Sequence, residues 1–299
     1  MDPDIDSDNE IDQVLSHLIT AFHILHQHQV LDEDGQVSVR NPQDPSTFFT
    51  SNLPAILVSS KKDLSQWNVA DGSPVDDPYP ELAKASEHSA VSEIFAHSSI
   101  YKAYPGVQSV LHSHCASAIA YGLCSSWNSM LQPSYLMAGF IGYSPPIFDI
   151  ARYYVNLPAS HPRNLLINTQ YLGDELAMTL HRSQREEPRR HNTPTVLPEQ
   201  KAVFIRGHGY ATWAESLEDV VWRAVHIRRD ADIQTTAMTQ RDNSELEIVY
   251  LTEQEAVDCE LTINHAEQKH WLSWVAQVDR SGMYRNELDG YGAAPRTEK

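Results

Sequence analysis

The sequence predicts an α/β layered domain, on three observations. Expected strands and helices alternate along the chain, the pattern produced when helices cover the faces of a sheet. Apolar residues make up 41% of the composition, enough to build a sizeable core and too many for a disordered chain. No internal repeat divides the 299 residues, a length that suits one large domain or two small ones.

Each element follows from local pattern. Residues 1–8 read as a solvated acidic tail. Ser7-Asp8-Asn9-Glu10 then offers a capping box. It precedes Ile11, Val14, Leu15, Leu18, Ile19, Phe22 and Leu25, whose spacing predicts an amphipathic helix over 9–28. On that helix His17, His23, His26 and His28 read as solvated. QVSVR (36–40) and PAILVSS (54–60) read as strands bounded by turn formers, and 66–82, rich in Asp, Pro and Ser, as a loop. A second helix is expected over 90–104, closed by Tyr104-Pro105-Gly106. VQSVLHSH (107–114) is β-branched and reads as a buried strand, followed by a short helix of small residues over 116–123. Residues 128–148 mix short strands and turns, RNLLINT (163–169) reads as a strand, and 173–182 as a helix. The stretch 181–200 is poor in apolar residues, holds three prolines and reads as a mobile surface insertion. KAVFIRGHG (201–209) is a strand running into a glycine-flanked histidine. Ser216-Leu217-Glu218-Asp219 caps a long helix to about Met238. The main domain is therefore expected over 9–240, and 241–299 as an extension with one helical stretch (253–278) and a polar tail.

Charge narrows the partners. Forty acidic residues against 22 basic ones give a net −18, which argues against a binder of phosphate backbones. No apolar run approaches the roughly 18–20 residues a membrane span needs. The acidic start, MDPDIDSDNE, is unlike a signal peptide's basic region. Cys115, Cys124 and Cys259 lack CxxC spacing and read as reduced thiols. A cytoplasmic protein acting on a small molecule, with neither nucleic acid nor membrane as partner, is the expectation.

The chemistry concentrates in four residues. His112 and His114 are two apart on a strand and so project to one face, half of a transition-metal site. His208 stands between Gly207 and Gly209, whose backbone freedom lets a neighbour approach closely; it could complete three imidazoles or be a solvated turn residue. Glu93 lies near a helix start, where a carboxylate serves as base or ligand beside a cation, or merely favours the helix dipole.

Together SEIFAHSSIYKAYPGVQSVLHSHCASAIAYG (92–122) and VFIRGHGYATWAESLEDVVWRAVHIRRDADIQ (203–234), with a weaker match at GQVSVR (35–40), resemble the class II aldolase/adducin family. The resemblance spans about residues 10–240. It implies a three-layer α/β/α sandwich around a mainly antiparallel sheet. It also implies a divalent metal, usually zinc with iron or manganese as alternatives, held by His112, His114 and His208, with Glu93 as catalytic acid/base. The family's symmetric tetramers imply a homo-oligomer, in which Trp271 and Trp274 would be core or would cover a neighbouring site. Sugar-phosphate aldolases of the family carry Gly-Asn-x-Ser and Thr-Pro-Ser-Gly-like segments. Here these read Gly35-Gln36-Val37-Ser38 and Thr50-Ser51-Asn52-Leu53, so the resemblance points to a non-phosphorylated hydroxy- or keto-acid. Gln36, Ser38 and Arg40 are the expected substrate-binding residues, Arg40 as a bidentate partner for a carboxylate, with a surface ion pair as the alternative. His97, one turn after Glu93, reads as packed, with orientation of Glu93 or the substrate as the alternative; Cys115 reads as core. The resulting expectation is a metal-dependent C–C lyase. The alternatives are an iron(II) oxygenase on the same scaffold and a non-catalytic adducin-like interaction module.

Overall fold

The computed structural model describes residues 3–75, 93–124, 130–143, 145–181, 196–241, 247–263 and 266–288, with only the helical course given for 3–9. The helices are α1 (Pro3–Gln27), α2 (Ile94–Ala103), α3 (Ala116–Gly122), α4 (Gln170–Thr179), α5 (Leu217–Arg241), α6 (Glu253–Thr262) and α7 (Ala266–Ser281). The strands are β1 (Gln36–Arg40), β2 (Thr47–Thr50), β3 (Ser65–Asn68), β4 (Ser109–Ser113), β5 (Ile147–Phe148), β6 (Ala202–Ile205) and β7 (Gly209–Ala214). They form one sheet in the order β3-β2-β1-β4-β7-β6-β5. Every pairing is antiparallel except β5 with β6.

Alternation along the strands divides the core in two. Val37, Val39, Leu111 and Tyr210 face one way and pack with α1, α3, α5 and α7 through Phe22, Leu25, Tyr121, Val221 and Trp274. Phe48, Val110, Ala211 and Trp213 face the other way, onto Ile100 and Tyr101 of α2 and Leu172 and Leu176 of α4. The sheet is thus the middle of three layers. β4 and β1 lie at its centre, so side chains there are sealed on both faces: all five residues of each are buried.

Several local expectations change. PAILVSS is not a strand: Ala55–Leu57 is a 3-10 turn after Pro54. The partner beside β1 is instead TFFT, whose register sets Val39 opposite Phe49. Ser65–Asn68, expected in a loop, is the edge strand β3; residues 76–92 lie outside those described. RNLLINT is irregular, with Leu165 at φ 65°, because its bonds go to neighbouring turns such as Tyr154 Oη. Only Ile147–Phe148 is strand within the described part of 128–148, and Leu136–Ile141 is a 3-10 helix. The first helix begins at Pro3, inside the expected acidic tail, and 253–278 holds two helices, α6 and α7. Of the expected insertion, 182–195 lies outside the described residues, and its far end is pinned by Gln200 N to the Leu180 carbonyl at 2.9 Å. The histidines of α1 are not all solvated: His23 is 1% exposed, with Nε2 2.6 Å from the Val58 carbonyl. Trp271 and Trp274 are core. No helix among the described residues is long and apolar enough to cross a membrane.

Candidate metal centre

β4 and the β6–β7 hairpin bring three imidazoles to one end of the sheet. His112 is on β4, opposite Gln36 of β1 and Ala211 of β7. His114 follows the last strand residue, just before Cys115, the N-cap of α3. His208 rides the hairpin turn, closed by its own N–H to the Ile205 carbonyl at 3.0 Å. Gly207 has φ 69° there, the positive value that the third position of a type II turn requires. At Gly209 a Cβ would overlap the Ser113 carbonyl; glycine is what lets the turn close onto the end of β4.

The result is compact. His112 Nε2 is 3.0 Å from His114 Nε2, which is 3.1 Å from His208 Nε2. The far nitrogens of two rings are held: His112 Nδ1 faces the Tyr210 carbonyl at 3.1 Å, and His114 Nδ1 faces Asp32 Oδ1 at 3.2 Å. Both partners accept, so these Nδ1 atoms donate and the Nε2 lone pairs face one another. Burial, and then the neighbouring histidines, hold His112 well below the usual range. Burial brings His208 down to about 4. His114 moves the other way: burial opposes its charge, but the hydrogen bond and charge of Asp32 outweigh it. Asp32 itself is held near 2, chiefly by His114.

Imidazoles whose Nε2 atoms converge on one point suit a divalent cation. Bonds of about 2.0–2.1 Å in a tetrahedral site put ligand nitrogens roughly 3.3 Å apart, close to the spacing seen. The donor set therefore fits a transition metal, and His112, His114 and His208 are the residues that could hold it.

Glu93 stands at the N-cap position of α2, only 3% exposed, and its Oε1 is 3.6 Å from His208 Nε2. The other sequence candidates fare differently. Gln36 lies beside the triad, with Nε2 donating to the Ser51 carbonyl at 3.4 Å. Ser38 Oγ is held by His97 Nδ1 at 2.7 Å and Tyr101 Oη at 2.8 Å, so it serves His97 directly. Arg40 is not offered to a ligand. Its guanidinium donates to the carbonyls of Val107 (2.9 Å), Pro45 (2.6 Å) and Tyr101 (2.9 Å) and lies over the Tyr101 ring. Cys115 is buried in the core.

Asp32 was not evident from sequence. The signal was there in the Asp-x-x-Gly turn, where Asp32 Oδ1 accepts from Gly35 N at 2.8 Å. Only the β1–β4 register, however, carries that turn to His114. An open cleft of about 660 Å³ reaches Asp32 and His114 from the α1 side, with Val30, Leu31, Pro54 and Ile56 among its walls and, among the described residues, no Lys or Arg lining it.

Comparison with known proteins agrees with this architecture. The Class II Aldolase and Adducin N-terminal domain family matches residues 16–235. Decarboxylase tropJ of Talaromyces stipitatus is 34% identical over 275 residues, 90% of this chain and 95% of that protein. Among solved structures, an aldolase II superfamily protein from Pseudomonas syringae superposes with a TM-score of 0.65 at 18% identity, covering 91% of this chain and 94% of the other. L-fuculose 1-phosphate aldolase from Glaciozyma antarctica PI12 gives 0.64 at 15% identity, with 94% of each chain covered. These two likenesses concern the fold.

Proposed function

The chain belongs to the class II aldolase and adducin N-terminal domain family, and from that premise we propose that it is a divalent-metal-dependent C–C lyase acting on a non-phosphorylated hydroxy- or keto-acid. Family membership and a decarboxylase relative over most of the chain make it a lyase-type enzyme. That relative favours decarboxylation over retro-aldol cleavage. One observation carries the proposal: a buried carboxylate, Glu93, stands 3.6 Å from one of three convergent imidazoles. An interaction module has no use for that arrangement.

His112, His114 and His208 would hold the cation, with zinc the best match to three neutral nitrogens and an open position. When bound, the cation supplies Lewis-acid stabilisation of the negative charge that develops as the C–C bond breaks. The Tyr210 carbonyl and Asp32 keep two of the rings in the ligating tautomer. Glu93 delivers a proton to the carbon left by the departing carboxylate and regains one from water. Phosphate recognition is unsupported here. Thr50 Oγ1 donates to the Val37 carbonyl of β1 at 2.8 Å and Ser51 Oγ to the Asp63 carbonyl at 2.6 Å, so both hydroxyls tie this loop to neighbouring backbone. Among the described residues, no Lys or Arg lines the cleft beside His114.

Replacing Glu93 by Gln tests the assignment. The variant is expected to keep its metal while carbon dioxide release from a panel of keto- and hydroxy-acids falls by about 10²–10⁴-fold, independently of oxygen. Undiminished turnover removes Glu93 from the proton-transfer role. We further read the enzyme as a homo-oligomer, a tetramer on the family's pattern, and a monomeric mass by light scattering contradicts that.

A further inference from the structure

The Trp and Tyr side chains between 266 and 288 all pack against histidines of α1 or its end. His17 meets Trp271 edge-on at 5.9 Å between ring centres. His23 stacks on Tyr284 at 4.9 Å, and His26 Nδ1 is 2.9 Å from the Tyr284 hydroxyl. His28, just past α1, meets Trp274 edge-on at 4.9 Å. This stretch lies beyond the matched family domain, which ends at 235. It comprises α7 and a strap that returns along α1, where Asn286 Nδ2 donates to the Ser16 carbonyl at 2.9 Å and Glu287 N to the Ser59 carbonyl at 2.8 Å. Three α7 side chains are buried, Trp271, Trp274 and Val278. Two of them are the rings that histidines flank, so the charge on those histidines bears directly on docking.

Around Trp274 the histidines form a cluster. Besides His28, the indole is flanked by His270 of α7 at 5.3 Å and His226 of α5 at 6.3 Å. His226 Nε2 lies 3.4 Å from His270 Nδ1, and His226 Nδ1 lies 2.6 Å from the Tyr135 hydroxyl. One proton between the facing nitrogens suits that contact, whereas two charged rings would set N–H against N–H. His28 Nε2 is buried without a hydrogen-bond partner among the described residues, so a proton added there meets no acceptor. The surroundings are mainly cationic. Arg228 and Arg229 of α5 act on His28, Arg229 acts on His226 and His270, and Lys269 of α7 acts on His270 with Glu267 opposing it. Burial keeps Asp230, one turn beyond His226, protonated up to about 7. Elsewhere along the contact His17 faces Glu218 at 3.6 Å, His23 faces His26, and on the strap Arg285 is paired with Glu287 at 3.0 Å. Burial, then Arg229, Arg228 and His270, bring His28 down to about 4; burial, then Arg229 and the other two rings, bring His226 to about 3. Both lie below the ordinary 6.5. The docked state therefore takes up protons later than the released one, and docking weakens as pH falls from about 6.5 toward 4.

We propose that α7 and the strap to Leu288 form an acid-released latch: neutral histidines around Trp274 hold it on α1 and α5, and their protonation frees it. Met283 and Tyr284 line the cleft that reaches Asp32 and His114, so release opens the approach to His114. The inference does not depend on the lyase reading. Hydrogen–deuterium exchange of the full chain at pH 7 and pH 5, corrected for intrinsic exchange rates, tests it. Moving His28 alone from 6.5 to about 4 changes the docking equilibrium about 20-fold between those pH values. With His226 added, protection of α7 amides is expected to fall at least about a hundredfold while β4 and β7 keep theirs. His28→Phe keeps a ring against Trp274 without a titrating nitrogen, and His226→Asn keeps an amide near the Nδ1 position. Each is expected to shrink the fall by about tenfold, and protection of β4 and β7 at pH 7 shows that the variant is folded. A wild type whose α7 protection changes less than about threefold overturns the proposal. So does a loss shared equally by β4 and β7, or a fall undiminished in whichever of the two variants folds.

Discussion

Asp32 offers the sharpest test of how the chain tunes its imidazoles. Asp32→Asn keeps the side-chain oxygen that accepts from Gly35 N at 2.8 Å and Asp34 N at 3.2 Å, so the turn before β1 should survive. What it removes is the negative charge facing His114 Nδ1 at 3.2 Å. Partners of this kind typically contribute 10–100-fold to metal affinity, about 1.4–2.7 kcal/mol. The Asp32 side chain is 42% exposed, so solvent screening pulls the effect to the low end. An affinity loss of about tenfold at pH 7 is expected, with melting of the metal-free protein nearly unchanged. Competition against a chromogenic chelator measures it. A dissociation constant within about twofold of wild type would refute the view that Asp32 raises the ligand strength of His114.

Two further predictions concern residues away from the triad. Arg40→Lys cannot reproduce three bonds to backbone carbonyls; a stability loss of about 2–3 kcal/mol with unchanged KM is expected in urea denaturation and kinetics, whereas intact stability with a raised KM would restore Arg40 as a substrate ligand. Asp230 is fully buried, and burial lifts its carboxyl to about 7 against hydrogen bonds from Ser134. Because the folded pKa is raised, the folded state binds the proton longer than the unfolded chain, and stability is lost as pH climbs from about 4 to about 7. Asp230→Asn should remove that loss, gaining on wild type by up to about 4 kcal/mol across the window; a stability difference independent of pH contradicts it.

The centre of the fold was legible in sequence because it is periodic and sealed. VQSVLHSH carries apolar residues on both faces, as a middle strand of a covered sheet does, and QVSVR alternates, with Val37 and Val39 on one face and Gln36, Ser38 and Arg40 on the other. The edges were not. TFFT and SQWN are four-residue strands whose pairing depends on the β1 register, and PAILVSS has strand composition but follows a proline and packs as a 3-10 turn. The convergence of His112, His114 and His208 was implied by the family resemblance; strand alternation and the flanking glycines by themselves left a solvated turn histidine as the other reading. Asp32 left no signal strong enough, since it reaches His114 only through pairing of β1 with β4. Arg40 was misread for a related reason. Its position at the end of a strand suggested a partner for a substrate carboxylate, but the carbonyls of Val107, Pro45 and Tyr101 take its Nε, Nη1 and Nη2.

Elemental analysis of the purified protein beside His208→Ala tests the central claim most directly. The account predicts near-stoichiometric zinc in the wild type and its loss in the variant, since two imidazoles and a solvent-facing position hold the ion far more weakly. Wild-type protein that takes up no divalent metal even when supplied with it, or a variant that retains its full complement, would contradict the account.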